Sequence, residues 1–140
     1  MKRSASAVWQ GDLQQGKGSI STESGLLDAA QYSFGTRFEN GKGTNPEELI
    51  AAAHAGCFTM ALSAALGRAG HAPERVDTKA AVTLDKVDGN WTITKVHLDV
   101  TAAVPGLEAA KFDEIAAGAK ANCPVSRVLN AEITMSAKLT

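Results

Sequence analysis

The chain has 140 residues, 44% of them apolar, 21% charged and 5% aromatic, with two cysteines and a formal net charge of -1. That length is the scale of a single domain, read as residues 1–140, and area scaling buries about two-thirds of the unfolded surface, so a core needs no disulfide staples. The charge balance excludes a nucleic-acid binder or an electrostatic membrane docker, and two thiols are too few for a secreted disulfide scaffold or, alone, a structural zinc site.

Met1-Lys2-Arg3 is followed by no continuous apolar run, so the start does not read as a secretory signal and the cytoplasm is the expected location. Ala5, Ala7 and Trp9 alternate with polar neighbours, and Lys17–Thr22 is placed to pair back across the Gly11–Gly16 turn. Gly35 to Asn45 is glycine-rich and polar and reads as a loop, a place where function is often carried. The helix start that follows is well marked, with Asn45 as N-cap, Pro46 at the first helical position and Glu48 where a capping box wants its acid. The helix is predicted to reach Arg68, with Gly70 as its stop. Leu49 to Gly67 carries no charge, but its alanines, glycines, His54 and Ser63 make it too weakly apolar for a bilayer span. A helix apolar all round is expected to be covered all round, here by a sheet and by a second subunit.

Val76, Thr78, Ala80, Val82 and Leu84 alternate with polar residues as a half-buried strand, and Asp88-Gly89-Asn90 is a hairpin signal. The return strand puts Val96, Leu98, Val100, Ala102 and Val104 on one face. Ala109, Phe112, Ile115, Ala116 and Ala119 recur at helical spacing, Cys123-Pro124 opens a short further turn, and Ile133, Met135, Ala137 and Leu139 line the last strand. Strands, long helix, hairpin, helix and strand in that order make an α+β fold.

The two thiols differ in context. Cys57 lies mid-helix, where it gains nothing from a helix end, so its ordinary fate is a small buried hydrophobe and a reactive role requires a borrowed cation. Cys123 precedes Pro124 at a helix start, where free N–H groups favour a thiolate, so position alone makes it the more reactive thiol. Glu48 has a capping task; Glu47 has none and is free to meet a cation, and Arg37 in the preceding loop is a candidate to supply the charge that a buried thiolate requires. The ordinary alternatives are dipole complementation for Glu47 and a solvated loop cation for Arg37. Glu47 and Cys57 are ten residues apart, about 15 Å along a helix axis, so they cannot touch within one helix. A site joining Arg37, Glu47 and Cys57 is most simply built with a partner subunit around a two-fold axis. His54 and Cys57 have metal-ligand spacing, but no third ligand is local and a satisfied core histidine is the commoner case.

Thr36-Arg37-Phe38-Glu39, Gly43-Thr44-Asn45-Pro46-Glu47-Glu48-Leu49-Ile50 and Ala53-His54-Ala55-Gly56-Cys57-Phe58 resemble the OsmC/Ohr family, the osmotically inducible and organic hydroperoxide resistance proteins. The likeness continues through Val82 to Asp88, Ile93-Thr94-Lys95 and Asn122-Cys123-Pro124-Val125-Ser126, and His54 with the Thr-Arg-Phe-Glu segment points to the OsmC branch. The resemblance implies antiparallel sheets wrapped around long central helices in an interlocked homodimer with sites at its interface. It implies a thiol peroxidase acting on organic hydroperoxides, and on hydrogen peroxide less well, in oxidative and osmotic stress defence. Cys57 corresponds to the peroxidatic thiol, Cys123 to the resolving thiol, Arg37 to the residue stabilising the thiolate and Glu47 to the one orienting Arg37. The disulfide so formed is reset by an external dithiol, lipoyl-type or thioredoxin-type, and no cofactor, metal, nucleic acid or membrane is called for. Phe34, Phe38, Phe58 and Met60 are candidates to line a pocket for an apolar peroxide, with plain core packing the alternative for each. The competing class is a non-enzymatic redox sensor or stress-binding protein using the same cysteines as a switch.

Overall fold

The computed structural model describes all 140 residues, which gather into two compact units, Met1–Leu49 and Ile50–Thr140. In the first, strands β1 (Ala5–Gln10), β2 (Lys17–Thr22) and β3 (Ala30–Tyr32) form an antiparallel sheet in that order. The β1–β2 turn is tied by Asp12, whose carboxylate accepts the Gln14 and Gln15 N–H groups at 2.8 Å each. Helix α1 (Phe34–Phe38) interrupts the segment expected to be a loop. Its cause is a reciprocal cap: Thr36 N–H donates to Ser33 Oγ at 3.3 Å, and Ser33 N–H donates to Thr36 Oγ1 at 2.8 Å.

Helix α2 (Pro46–Arg68) has the expected bounds. Glu48 N–H donates to Asn45 Oδ1 at 2.8 Å, whereas the Glu48 carboxylate takes the Thr44 hydroxyl at 2.9 Å in place of the return bond of a capping box. At the far end Gly70, with φ +84°, lets its N–H reach the Gly67 carbonyl and the His71 N–H reach the Leu66 carbonyl, which closes the helix. By length and composition α2 is able to cross a membrane. Within the chain it is covered on one face, where His54, Phe58, Leu62 and Leu66 recur every fourth residue and are all 0% exposed. The side carrying Ala53, Gly56, Met60, Ser63 and Gly67 is exposed, so the expected covering on nearly every side stops at half the helix.

The second unit completes α2 and adds β4 (Arg75–Val87), β5 (Asn90–Ala103), α3 (Ala109–Asn122), α4 (Pro124–Val128) and β6 (Glu132–Leu139). Asp88 and Gly89, at φ +49° and +80°, make the two-residue turn of the β4–β5 hairpin. The sheet runs β4-β5-β6, and here antiparallel pairing gives way: β6 lies parallel to β5, with Leu98 opposite Met135. The α3–α4 connection makes this possible, because it carries the chain back to the starting end of β5 before β6 begins. Phe58, Leu62 and Leu66 of α2, Leu98, Val100 and Ala102 of β5, and Phe112, Ala116 and Cys123 pack into one apolar core.

Candidate active site

The core seats the sulfurs. Cys57 follows His54 by three residues, at the margin of the buried face of α2, and is half-buried; Cys123 is wholly buried at the joint between α3 and α4. That joint is fixed by the backbone: Cys123 N–H donates to the Ala119 carbonyl at 2.8 Å, and Arg127 N–H donates to the Cys123 carbonyl at 3.0 Å. Both thiols are free, and their sulfurs lie 3.2 Å apart in an S–H···S contact.

Burial pushes the Cys57 thiol up, and its neighbour Cys123 adds to the rise against a lowering hydrogen bond from the Val125 backbone. Burial raises Cys123 too, but the Ser126 backbone, Cys57, the Ser126 hydroxyl and the Val125 backbone together outweigh it and leave the thiol below its ordinary value. The two thiols are thus shifted in opposite directions, Cys57 up and Cys123 down. The histidine on the same helix is occupied: His54 Nε2 lies 2.7 Å from Ser126 Oγ. His97, another potential ligand, has its Nδ1 2.6 Å from Thr134 Oγ1.

In the first unit Arg37 and Glu47 form an ion pair. Arg37 Nη2 donates to Glu47 Oε1 at 2.8 Å, and Nε reaches Oε1 and Oε2 at 3.2 and 3.3 Å. The glutamate is the more buried member of the pair, so the fork holds the guanidinium from below while leaving it open to the surface. Asn45 secures the other end of this loop by donating to the Thr36 carbonyl at 3.1 Å.

Arg37 also helps to line a hollow of about 290 Å³ with Trp9, Leu13, Tyr32, Ser33, Phe34 and Phe38. The Phe34 and Phe38 rings are 4.9 Å apart between centroids, and the guanidinium stands 5.2 Å from the Phe38 centroid. Gly18 allows the opposite wall to close, since a Cβ there would strike the Tyr32 and Trp9 rings. The other two pocket candidates lie elsewhere: Phe58 is in the core, and Met60 is on the exposed side of α2. Their sequence context could not separate them, because α2 is apolar all round. Ser126, Trp9, Leu13 and Tyr32 carried no functional assignment in the sequence. The detectable signal for Ser126 was its place three residues after Cys123, within the first turn that the proline starts.

An apolar hollow edged by a carboxylate-held guanidinium, and two free thiols in contact, are the parts of a thiol-based redox protein. The OsmC-like protein family model matches residues 39–138, and the chain belongs to this family. It is 59% identical over 133 residues to the peroxiredoxin OsmC of Escherichia coli strain K12, covering 95% of this chain and 93% of that one. It is 30% identical over 100 residues to the organic hydroperoxide resistance protein of Xanthomonas axonopodis pv. citri, covering 71% and 68% of the two chains. The fold is shared with the crystal structure of OhrB, the organic hydroperoxide resistance protein of Bacillus subtilis, at a TM-score of 0.69 and 22% identity over 98% of both chains.

Proposed function

We propose that this chain is a cysteine-based thiol peroxidase that reduces organic hydroperoxides, and hydrogen peroxide less readily. The observation that carries the reading is the 3.2 Å contact between the Cys57 and Cys123 sulfurs in a chain 59% identical to a peroxiredoxin. The Cys57 thiolate attacks the outer oxygen of the peroxide; the O–O bond breaks, the alkoxide takes up a proton and leaves as alcohol, and Cys57 becomes a sulfenic acid. Cys123 then condenses with it, releasing water and forming a disulfide that keeps Cys57 off the irreversible rungs of oxidation. An external dithiol, lipoyl-type or thioredoxin-type, exchanges with that disulfide and restores both thiols.

Cys57 is raised by its own surroundings, so its activation requires a cation. In this reading Arg37, oriented by Glu47, supplies it from the partner subunit of a homodimer, a reading supported by the ten-residue spacing that keeps Glu47 and Cys57 apart on one helix. The apolar hollow beside Arg37 favours a hydrophobic peroxide over hydrogen peroxide. Residues 1–140 act as one functional domain, in the cytoplasm, as part of the defence against oxidative and osmotic stress.

The test is steady-state peroxide consumption with cumene hydroperoxide and with hydrogen peroxide, supplying dihydrolipoamide or thioredoxin. Many equivalents consumed per chain, faster with cumene hydroperoxide, is the expected result. Consumption that stops at one equivalent with reductant present identifies a redox switch and overturns the peroxidase reading.

A further inference from the structure

Peroxide attack and resolution use the two sulfurs, Arg37 and Glu47, and leave a fully buried histidine without a task. His54 is 0% exposed and heads the row of Phe58, Leu62 and Leu66 on the covered face of α2. An apolar side chain would continue that row without a desolvation cost, whereas the imidazole takes two ring nitrogens out of water. One of them, Nδ1, has no hydrogen-bond partner. The other, Nε2, lies 2.7 Å from Ser126 Oγ on α4. A buried N–H without an acceptor is costlier than a bare ring nitrogen, so the proton belongs on Nε2, which donates to the serine.

His54 precedes Cys57 by three residues on α2, and Ser126 follows Cys123 by three residues into α4. The sulfur pair and the His54–Ser126 pair are therefore two rungs between the same two segments, which pass in opposite directions, about one helical turn apart. Helix α4 needs such a tie, for it has five residues, and the cysteines it helps to bring together are 66 positions apart in the chain. Sulfurs 3.2 Å apart must still close to about 2.05 Å to bond, and a misplacement of about 1 Å can cost about a hundredfold in rate.

We propose that His54 is a positioning residue for disulfide formation: its hydrogen bond to Ser126 holds α4 against α2 one turn away from the sulfurs, and so keeps Cys123 within reach of Cys57 before any covalent bond joins them. The inference rests on the Cys57–Cys123 couple proposed above and names what holds that couple ready. When Cys57 has become a sulfenic acid, the Cys123 thiolate gives its electron pair to that sulfur. The S–S bond forms, the S–O bond breaks, and the departing hydroxide takes up the proton that Cys123 gave up and leaves as water. His54 and Ser126 exchange no proton with either sulfur; their bond sets a distance. Burial holds the imidazole neutral, so the tie brings no charge into the core.

The experiment is a single turnover of the reduced full-length protein with cumene hydroperoxide across neutral pH. Sulfenic acid, trapped with dimedone, and disulfide are followed separately by mass spectrometry. In Ser126→Ala and in His54→Leu the plateau rate of the disulfide step should fall about tenfold relative to the sulfenic step, which is about 1.4 kcal/mol and the worth of one hydrogen bond. The pH midpoint of the disulfide step should stay at its wild-type place, because the bond acts on distance and not on the charge of a sulfur. Ser126→Thr keeps the hydroxyl and should restore the rate. Two residues acting through one bond share one loss, so the double variant should be no slower than either single variant. A fall of about a hundredfold in the double variant means independent effects and overturns the proposal. An unchanged disulfide rate in Ser126→Ala overturns it as well, as does an equal slowing of both steps or a moved midpoint at an unchanged plateau. Should His54→Leu fail to fold, Ser126→Ala and Ser126→Thr decide, because that side chain is only half-buried. Wild-type protein that forms no disulfide overturns the couple itself, and this proposal with it.

Discussion

Phe58 and Met60 stand two residues apart on α2 and face opposite ways: Phe58 is 0% exposed in the core, and Met60 is 76% exposed. Two residues turn a helix by about 200°, so the pair marks its two sides. One side meets the β4-β5-β6 sheet and α3; the other presents small residues around a single large apolar side chain. On the dimer reading Met60 is the residue that a partner subunit covers. Met60→Glu should shift the protein from dimer to monomer in sedimentation, with turnover lost as the shared sites come apart. A fully active monomer, in the variant or the wild type, refutes the composite site.

Phe58 and Phe34 should part company under truncation. Phe58→Ala opens a cavity in the core and is expected to cost about 3–5 kcal/mol in denaturant unfolding. Phe34→Ala alters a surface hollow, so its unfolding midpoint should move little, while KM for cumene hydroperoxide rises and KM for hydrogen peroxide holds. The opposite pattern would return Phe34 to the core and leave the hollow without a substrate.

The sulfurs should be separable by their products. Cys57→Ser should abolish peroxide turnover, and retained turnover would remove the peroxidatic assignment. Cys123→Ser should consume one equivalent of peroxide and then accumulate sulfinic acid under excess, seen as a gain of two oxygens in intact mass.

The fork between Arg37 and Glu47 gives a charge test. Arg37→Ala strips a largely buried carboxylate of its partner and, on the proposed mechanism, leaves the Cys57 thiol where burial puts it. The pH midpoint of Cys57 alkylation should therefore rise, and kcat/KM should fall by at least about tenfold. Glu47→Gln keeps the size of the side chain and one acceptor oxygen but not the charge, and should fall between that variant and wild type. Identical alkylation profiles in all three would dismiss the cation from the chemistry.

The buried histidine predicts a pH dependence of stability. Unfolded His54 takes up a proton near its ordinary value of 6.5, while burial holds the folded ring lower. Between those values the unfolded state binds more protons, so its contribution to stability is lost as pH falls, by no more than about 1.4 kcal/mol per pH unit. The urea midpoint should drop more steeply with falling pH, below about 6.5, in wild type than in His54→Gln. Equal slopes would mean that His54 titrates as it does in water.

Where one rule of local chemistry governed, the sequence was readable. Asn45-Pro46 and Gly70 gave the ends of α2, and Asp88-Gly89 the hairpin, because caps and two-residue turns are set by the residues within them. The Arg37–Glu47 pair was implied by the family resemblance, while the residues alone marked Glu47 only as an acid with no capping duty. The parallel pairing of β6 was not readable, since alternation tells which face a strand buries and says nothing about which direction its neighbour runs. Nor were the fates of Phe58 and Met60, for a helix with apolar residues on every side has no stripe to point with. The short helix α1 did have a signal, the Ser33-Thr36 cap, which the surrounding glycines masked.

Gly56 and Gly67 are helical, and a Cβ at either would meet no atom within 4 Å. Alanine fits both positions and would strengthen the helix by about 0.5–1 kcal/mol at each, so the isolated chain is less stable than a trivial change would make it. A smooth helix surface is useful to a neighbour that lies close against it. With such a neighbour the deficit is made good on association, and thermal stability becomes a function of protein concentration rather than a constant of the chain.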